Sequence, residues 1–234
     1  MHAGIIFKPT KDNFAPNKLE YIYNKLFERY SHQHWWPGET PFEVMVGAVL
    51  TQSTSWESAA RAIENLRETG NLNPHSLQRL PEKDLAALIK PSGYYNDKAR
   101  KLKSLVEWLR VSCNYNLSLL NDFNTADIRQ SLLSVHGIGP ETADSILLYA
   151  LKRPVFVIDA YTCRILSRIG VVPEGGISYD NYQRLFTTNL EPDTAIYNEY
   201  HALLVKHGKT SCKKQPLCNF CCIASICISY NSRI

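Results

Sequence analysis

The stretch that decides the fold runs Leu132-Leu133-Ser134-Val135-His136-Gly137-Ile138-Gly139-Pro140-Glu141-Thr142-Ala143. An apolar run continues through Ile146, Leu147, Leu148 and Ala150, and then Lys152-Arg153-Pro154-Val155-Phe156-Val157-Ile158-Asp159. Two glycines two residues apart, between one helix and the start of another, allow a tight turn with positive φ angles. Pro140 stands where a first-turn proline is favoured, because its missing N–H costs nothing there. Such a turn presents backbone N–H groups at a helix N-terminus, which is a site for an anion. Main-chain donors read phosphate rather than base sequence. A bare Gly-x-Gly describes a plain tight turn equally well, and the weight comes from the apolar helix and the acid beyond it. Asp159 comes straight after four apolar residues, an unusual place for solvated surface. Its bland reading is the N-cap of a helix starting at Ala160, and that role is compatible with catalysis.

Outward from this stretch the chain reads as helices with short breaks. Leu19, Ile22, Leu26 and Tyr30 recur at helical spacing, and Pro41 to Leu50 is an apolar run with Pro41 placed for a first turn. Trp56 to Arg67 repeats the pattern, as do Lys83 to Ile89, Lys98 to Arg110 and Ala126 to Leu133. Lys98, Arg100, Lys101 and Lys103 read as a solvated helix face. Asn71-Leu72-Asn73-Pro74, Pro91-Ser92-Gly93 and Asn114-Tyr115-Asn116 punctuate the joins. Pro154 to Ile158 resembles a strand in isolation but has no partner, so it is expected to be an extended connector. Tyr161 to Ile169 resumes helical spacing. The fold class expected is all-α.

The 234 residues suit one compact unit or two small domains. With 44% hydrophobic and 21% charged residues, a core can form and disorder is not expected. No apolar run approaches the ~20 residues that span a bilayer. Met1-His2-Ala3-Gly4-Ile5-Ile6-Phe7-Lys8-Pro9 lacks the apolar stretch and cleavage site of a secretory signal. The expectation is an intracellular protein of the cytoplasm or nucleoid, monomeric and without a membrane partner. A net charge of +4 is compatible with a polyanionic partner and by itself decides little.

Cysteine usage says more. Cys113 and Cys163 stand alone and read as small buried hydrophobes. Cys212, Cys218, Cys221, Cys222 and Cys227 crowd into the tail, which without a secretory signal points to metal rather than disulfides. Four thiolates at Cys212-x5-Cys218-x2-Cys221-x5-Cys227 can close around a [4Fe–4S] cluster or a zinc ion. Cys222 is a rival to Cys221, although choosing it alters both later gaps.

The hairpin, the apolar helix, Val157-Ile158-Asp159-Ala160-Tyr161 and the basic helix Arg164-Ile165-Leu166-Ser167-Arg168 together resemble the helix-hairpin-helix DNA glycosylases of the endonuclease III superfamily. The likeness covers about Phe42 to Cys227. It implies two all-α domains: a six-helix barrel over 34–153 carrying the hairpin, and a second domain from 1–33 and 154–234, ending in a cluster loop at 212–227. It implies double-stranded DNA with damaged bases as the partner and Asp159 as the catalytic carboxylate. It also favours a [4Fe–4S] cluster over zinc, on a loop that comes after His207-Gly208. The family's usual first cysteine gap is one residue longer than the one at Cys212. Gly137, Gly139 and Glu141 become phosphate-contacting positions of the hairpin, joined by Lys213 and Lys214 from the loop.

The resemblance also bears on the lesion. Family members that cut the strand carry a lysine two residues after the last hairpin glycine, whose amine forms a Schiff base with the sugar. Here that residue is Glu141, which cannot form an imine, so hydrolysis without strand cleavage is expected. His34-Trp35-Trp36-Pro37, Gly47 to Trp56 and Pro91-Ser92-Gly93-Tyr94-Tyr95-Asn96 are similar to the 3-methyladenine glycosylase branch. A cationic alkylated purine suits an aromatic pocket, and Trp36 and Trp56, with Trp35, are its expected walls. The likeness implies that Gln52 fills the gap left by the extruded base and that Tyr94 wedges into the opposite strand. Lys209 has two readings, a phosphate contact or a reach into the base pocket. Two rivals stand beside this reading: a glycosylase for uracil or mismatched thymine or adenine, or an endonuclease III-like enzyme; and a non-catalytic iron–sulfur protein that binds damaged DNA.

Overall fold

The structure is a computed structural model that describes residues 14–232. The Met1 to Pro9 segment and the start of the expected 1–33 piece lie outside the described residues. Regular structure among the described residues is helical, without a β-strand. In chain order the α-helices are α1 (Phe14–Tyr30), α2 (Pro41–Leu50), α3 (Trp56–Glu68), α4 (Pro74–Arg79), α5 (Glu82–Leu88) and α6 (Tyr95–Cys113). They continue with α7 (Thr125–Leu133), α8 (Pro140–Ser145), α9 (Ala160–Ile169), α10 (Tyr179–Asn189), α11 (Thr194–Thr210) and α12 (Ile228–Asn231). Two compact units result: Trp36 to Arg153, and the residues up to Trp35 together with Pro154 onward.

In the first of these units α2 is the central helix. Every residue from Phe42 to Leu50 is buried, as an all-round apolar helix requires. Thr40 caps it by accepting from Glu43 N, and Pro41 occupies the first turn. It packs against α3, α6, α8 and the π-helical turn Ile146–Ala150 that continues α8. Each buried Val or Leu contributes roughly 1.5–3 kcal/mol.

Helix α6 overturns the expected solvated lysine face. Lys98 is 1% exposed, and its Nζ donates to Leu50 O (2.8 Å) at the end of α2 and to Ser92 O (2.7 Å). Burial pulls its pKa down to about 8, which still leaves an ammonium at neutral pH. Lys103 caps the end of α4 through the carbonyls of Leu77, Gln78 and Leu80. Lys101 donates to Gln52 Oε1 (2.8 Å) and pairs with Asp97. Of the four cations, Arg100 alone keeps an exposed side chain. Three lysines thus satisfy acceptors that would cost about 1–3 kcal/mol each if buried alone.

In the other unit, Leu19, Ile22 and Leu26 of α1 lie fully buried, and α1 packs on α11. Tyr200 donates its hydroxyl to Leu19 O at 2.7 Å. The extended connector 154–158 runs through this core, with Phe156 stacked on Phe186 at 3.8 Å between centroids. A buried extended segment needs partners for its polar backbone. Gln183 Nε2 donates to Phe156 O (2.8 Å), and Ile158 N donates to the Tyr179 hydroxyl (3.4 Å). Cys113 is buried as expected, whereas Cys163 is half-buried.

Candidate active site

Asp159 ends the buried connector and starts α9. Its Oδ1 accepts from Thr162 N at 2.7 Å, the N-cap geometry that also places the carboxylate in the positive field of the helix N-terminus. The side chain is 9% exposed. Oδ2 lies 3.7 Å from Nε2 of His201, a buried residue of α11. Burial pulls the His201 imidazole below its ordinary value, against the weaker opposing pull of the Asp159 charge, so the ring is neutral near pH 7. One carboxylate oxygen is therefore held by a backbone donor and the other faces an imidazole. Sequence reasoning misses His201 because it misses α11 itself. Residues 200–205 are all buried, so this helix shows no amphipathic stripe.

The hairpin joins α7 to α8. Gly137 has φ +78°, whereas Gly139 is extended (φ −92°) as the N-cap of α8, so a positive φ is required once and not twice. Val135 and Ile138 anchor the turn in the core. Arg129 of α7 grips the buried Asp144 of α8 bidentately, at 2.7 and 3.0 Å, and fixes the angle between the flanking helices. A Cβ added at Gly139 would meet open space. Glu141 is exposed on the first turn of α8.

Gln52, expected to insert into DNA, is engaged within the protein. Its Nε2 donates to Gly137 O (3.1 Å) and Thr142 Oγ1 (2.9 Å), while its Oε1 accepts from Lys101. Tyr94 is 75% exposed in the left-handed conformation (φ +46°) at the start of α6. Trp36 and Trp56 meet edge to face, 5.6 Å between centroids and 89° apart, and Tyr149 sits 5.3 Å from Trp36. Gly47 gives Trp36 its seat, since a Cβ there would lie 3.1 Å from the indole Nε1. Rings in direct edge contact leave no slot between them, so a base can stack only on an outer face. Sequence reasoning also passes over Tyr149. Trp35 belongs to the other unit, and Lys209 Nζ is 5.9 Å from its ring centre.

A family model described as the HhH-GPD superfamily base excision DNA repair protein matches residues 46–192, which include the hairpin and Asp159. The chain belongs to the HhH-GPD superfamily. A Methanocaldococcus jannaschii protein provisionally named a DNA repair glycosylase is 46% identical over 217 residues, covering 91% of this chain and 98% of that one. Endonuclease III of Sulfolobus acidocaldarius is 28% identical, over 82% of this chain and 84% of its own length. Among solved structures, H. pylori 3-methyladenine DNA glycosylase bound to 1,N6-ethenoadenine matches with a TM-score of 0.69 and 27% identity, covering 83% of this chain and 97% of that one. A non-covalent endonuclease III–DNA complex matches the fold at a TM-score of 0.79 and 20% identity, over 93% and 97%. This HhH-GPD protein is accordingly a DNA glycosylase of base excision repair. No helix among its described residues is long and apolar enough to cross a membrane.

The C-terminal loop of this HhH-GPD chain brings Cys212, Cys218, Cys221 and Cys227 to the lining of one cavity, and Cys222 is not part of that lining. Cys222 instead feels the charges of Lys25, Glu28 and Arg29 on α1, and burial pushes its thiol up. No three His, Cys, Asp or Glu side chains among the described residues are gathered tightly enough to hold a single metal ion. Arg168 organises the loop: it donates to Cys212 Sγ (3.3 Å), Lys213 O (2.6 Å) and Lys214 O (3.1 Å), and its own carbonyl accepts from Cys227 Sγ (3.3 Å). Arg164 holds Cys212 O and Gly208 O. His207 Nε2 lies 3.6 Å from Cys221 Sγ. Lys213 and Lys214 keep exposed side chains.

Proposed function

We propose that this glycosylase hydrolyses the N-glycosidic bond of alkylated purines such as 3-methyladenine and leaves an abasic site uncut. The observation that carries the substrate is the Trp36–Trp56–Tyr149 group. An N3- or N7-alkylated purine is cationic, and an aromatic face attracts it by stacking and cation–π interaction. The 27% identity to the H. pylori 3-methyladenine enzyme supports the same choice. Glu141 stands where strand-cutting relatives carry lysine, and a carboxylate offers no amine to the sugar.

Asp159 then orients and deprotonates water and stabilises the positive charge that develops on the sugar. Thr162 N–H fixes one oxygen, and neutral His201 neighbours the other without competing for the negative charge. The hairpin holds the DNA backbone through main-chain N–H groups, aided by Lys213 and Lys214. Exposed Tyr94 wedges into the opposite strand. The unit from Trp36 to Arg153 is the barrel domain of this reading.

The tail loop suits a [4Fe–4S] cluster. Cys212, Cys218, Cys221 and Cys227 line one cavity. A zinc ion would draw all four sulfurs to ~2.3 Å from one point. Arg168 places a donor beside Cys212, as outer partners of bound thiolates do, and His207 Nε2 neighbours Cys221. The cluster would serve to fold the tail and hold Lys213 and Lys214 in place.

A panel of lesion duplexes, with and without alkali, tests the reading. Release of 3-methyladenine or 7-methylguanine with strand breaks only after alkali is the expected result. Excision confined to uracil or mismatched bases would overturn the substrate, and efficient borohydride trapping would overturn the hydrolytic route. Brown colour with absorbance near ~400 nm is expected of the purified protein, from iron–thiolate charge transfer.

A further inference from the structure

We propose that Lys98 is a positioning residue for base extrusion. Its buried ammonium ties together two loops that enter DNA: the one after α2, which carries Gln52, and the one before α6, which carries Tyr94. The proposal rests on the reading of Gln52 as the residue that fills the gap and of Tyr94 as the wedge. Lys98 Nζ donates to Leu50 O at 2.8 Å and to Ser92 O at 2.7 Å. Each acceptor lies two residues before a member of that pair. Leu50 and Ser92 are fully buried, so neither carbonyl faces bulk solvent. At 1% exposure the ammonium itself cannot reach a phosphate, and any part it has in handling DNA is indirect.

One residue thus holds the Tyr94 turn from both ends. Lys98 N donates to Tyr94 O at 3.0 Å and closes the first turn of α6, while the side chain returns to Ser92 O. The backbone between is strained: Gly93 has φ +66° and Tyr94, a bulky residue, φ +46°. Such a conformation persists only where its surroundings hold it. On the other side, Leu50 O is among the carbonyls that a helix end leaves without an intrahelical partner, and the negative end of the α2 dipole favours a cation there. The chain departs from α2 at once, with Ser53 at φ +53°. An apolar side chain at 98 would orphan both carbonyls and release both loops together. The supports of the hairpin, Arg129 on Asp144 and the buried Val135 and Ile138, would stay in place.

The test is single-turnover release of 7-methylguanine by Lys98→Met from two duplexes, one with the lesion paired to cytosine and one with it unpaired in a bulge. An unpaired base takes less work to extrude. Release from the paired lesion is expected to fall about tenfold, the scale of one buried hydrogen bond, and release from the bulge by about threefold or less. Undamaged duplex should bind with unchanged Kd and salt slope, because no phosphate contact is removed. A tetrahydrofuran abasic-analogue duplex with 2-aminopurine as the orphan base reads loop insertion without chemistry, and its fluorescence change on binding should shrink in Lys98→Met. Tyr94→Ala should also slow the paired lesion, and adding Lys98→Met to it should cost less than in the wild-type background, because the lysine acts through that loop. Equal losses on paired and bulged lesions, or additive losses in the double variant, mark a lysine that supports the fold alone and overturn the proposal. Lys98→Gln takes its place should Lys98→Met fail to fold, and a chain that folds with neither overturns it too. Neutral Gln52→Ala and Tyr94→Ala would instead refute the roles given to the two loops. Absence of 7-methylguanine release by the wild-type chain would refute the substrate, and the abasic-analogue duplex would still decide the role of the lysine.

Discussion

Asp159 and the hairpin present chemistry in inverse ways. At Asp159 the proposed working atoms belong to a side chain, and the backbone holds them: Thr162 N–H fixes one oxygen, and the end of a buried connector fixes the position. At the hairpin the proposed working atoms are backbone N–H groups, and side chains hold them: Gln52 on the Gly137 carbonyl, Arg129 on Asp144, Val135 and Ile138 in the core. The lesson concerns what a substitution can reach. Changing a single functional group should abolish chemistry at the first site and leave the fold alone. At the second site the sensitive features are an absent side chain and its distant supports.

The largest expected effect comes from Asp159→Asn. Asparagine is as good an N-cap as aspartate, so unfolding in urea should be close to wild type. Base release in single turnover should fall by about a thousandfold, the scale of a lost general base. Lesion binding by fluorescence anisotropy should persist. Retained release would undo the contrast at its first member.

Gly137→Ala should come next. A left-handed alanine costs about 1–2 kcal/mol, and the added Cβ displaces the Lys101 stem. Affinity for undamaged and damaged duplex should drop together by about tenfold, with the release rate at saturation little changed. Gly139→Ala separates two causes, because that residue is extended and its Cβ would meet open space. The protein should fold normally, and any loss of affinity reports the close approach of DNA rather than strain.

A smaller effect is expected at His201. His201→Leu should slow release by less than about tenfold, the worth of one modest polar contact. It should also change the pH dependence of stability. The buried ring titrates below its ordinary value, whereas the unfolded one takes up its proton near ~6.5. Between those values the unfolded chain binds more protons, so this part of the stability is present above ~6.5 and fades as pH falls. Urea unfolding at pH 7 and pH 5 should show a larger drop for wild type than for His201→Leu. The smallest effect belongs to Glu141→Gln. The side chain is exposed, and release should stay within about twofold of wild type, since the proposed hydrolysis asks nothing of its charge.

The parts legible in sequence are those governed by local rules. Helices α2, α3 and α9 begin where a proline or a capping residue precedes an apolar pattern, and the expected starts at Pro41, Trp56 and Tyr161 lie at or next to the observed ones. Helix α4 is obscured because Asn73-Pro74 reads as a loop, although Asn73 is its N-cap and Pro74 its first residue. Helix α11 escapes for another reason. Alternation of polar and apolar residues marks a helix with one solvent face, and α11 has little of one. With α11 unseen, His201 cannot be placed beside Asp159.

Sequence by itself determined the helical class, the family through hairpin and aspartate, and the cysteine spacing that marks the tail. These are short-range properties: backbone conformation, capping and ligand spacing depend on neighbours in the chain. Only the tertiary structure decided where long side chains end. Lys98 on the carbonyls of Leu50 and Ser92, Lys101 on Gln52, and Arg168 beneath the cysteine loop all look like solvated cations until the acceptors they serve are in place. A buried carbonyl at a helix end must find a donor, and residue order alone does not reveal which cation is near enough to supply it.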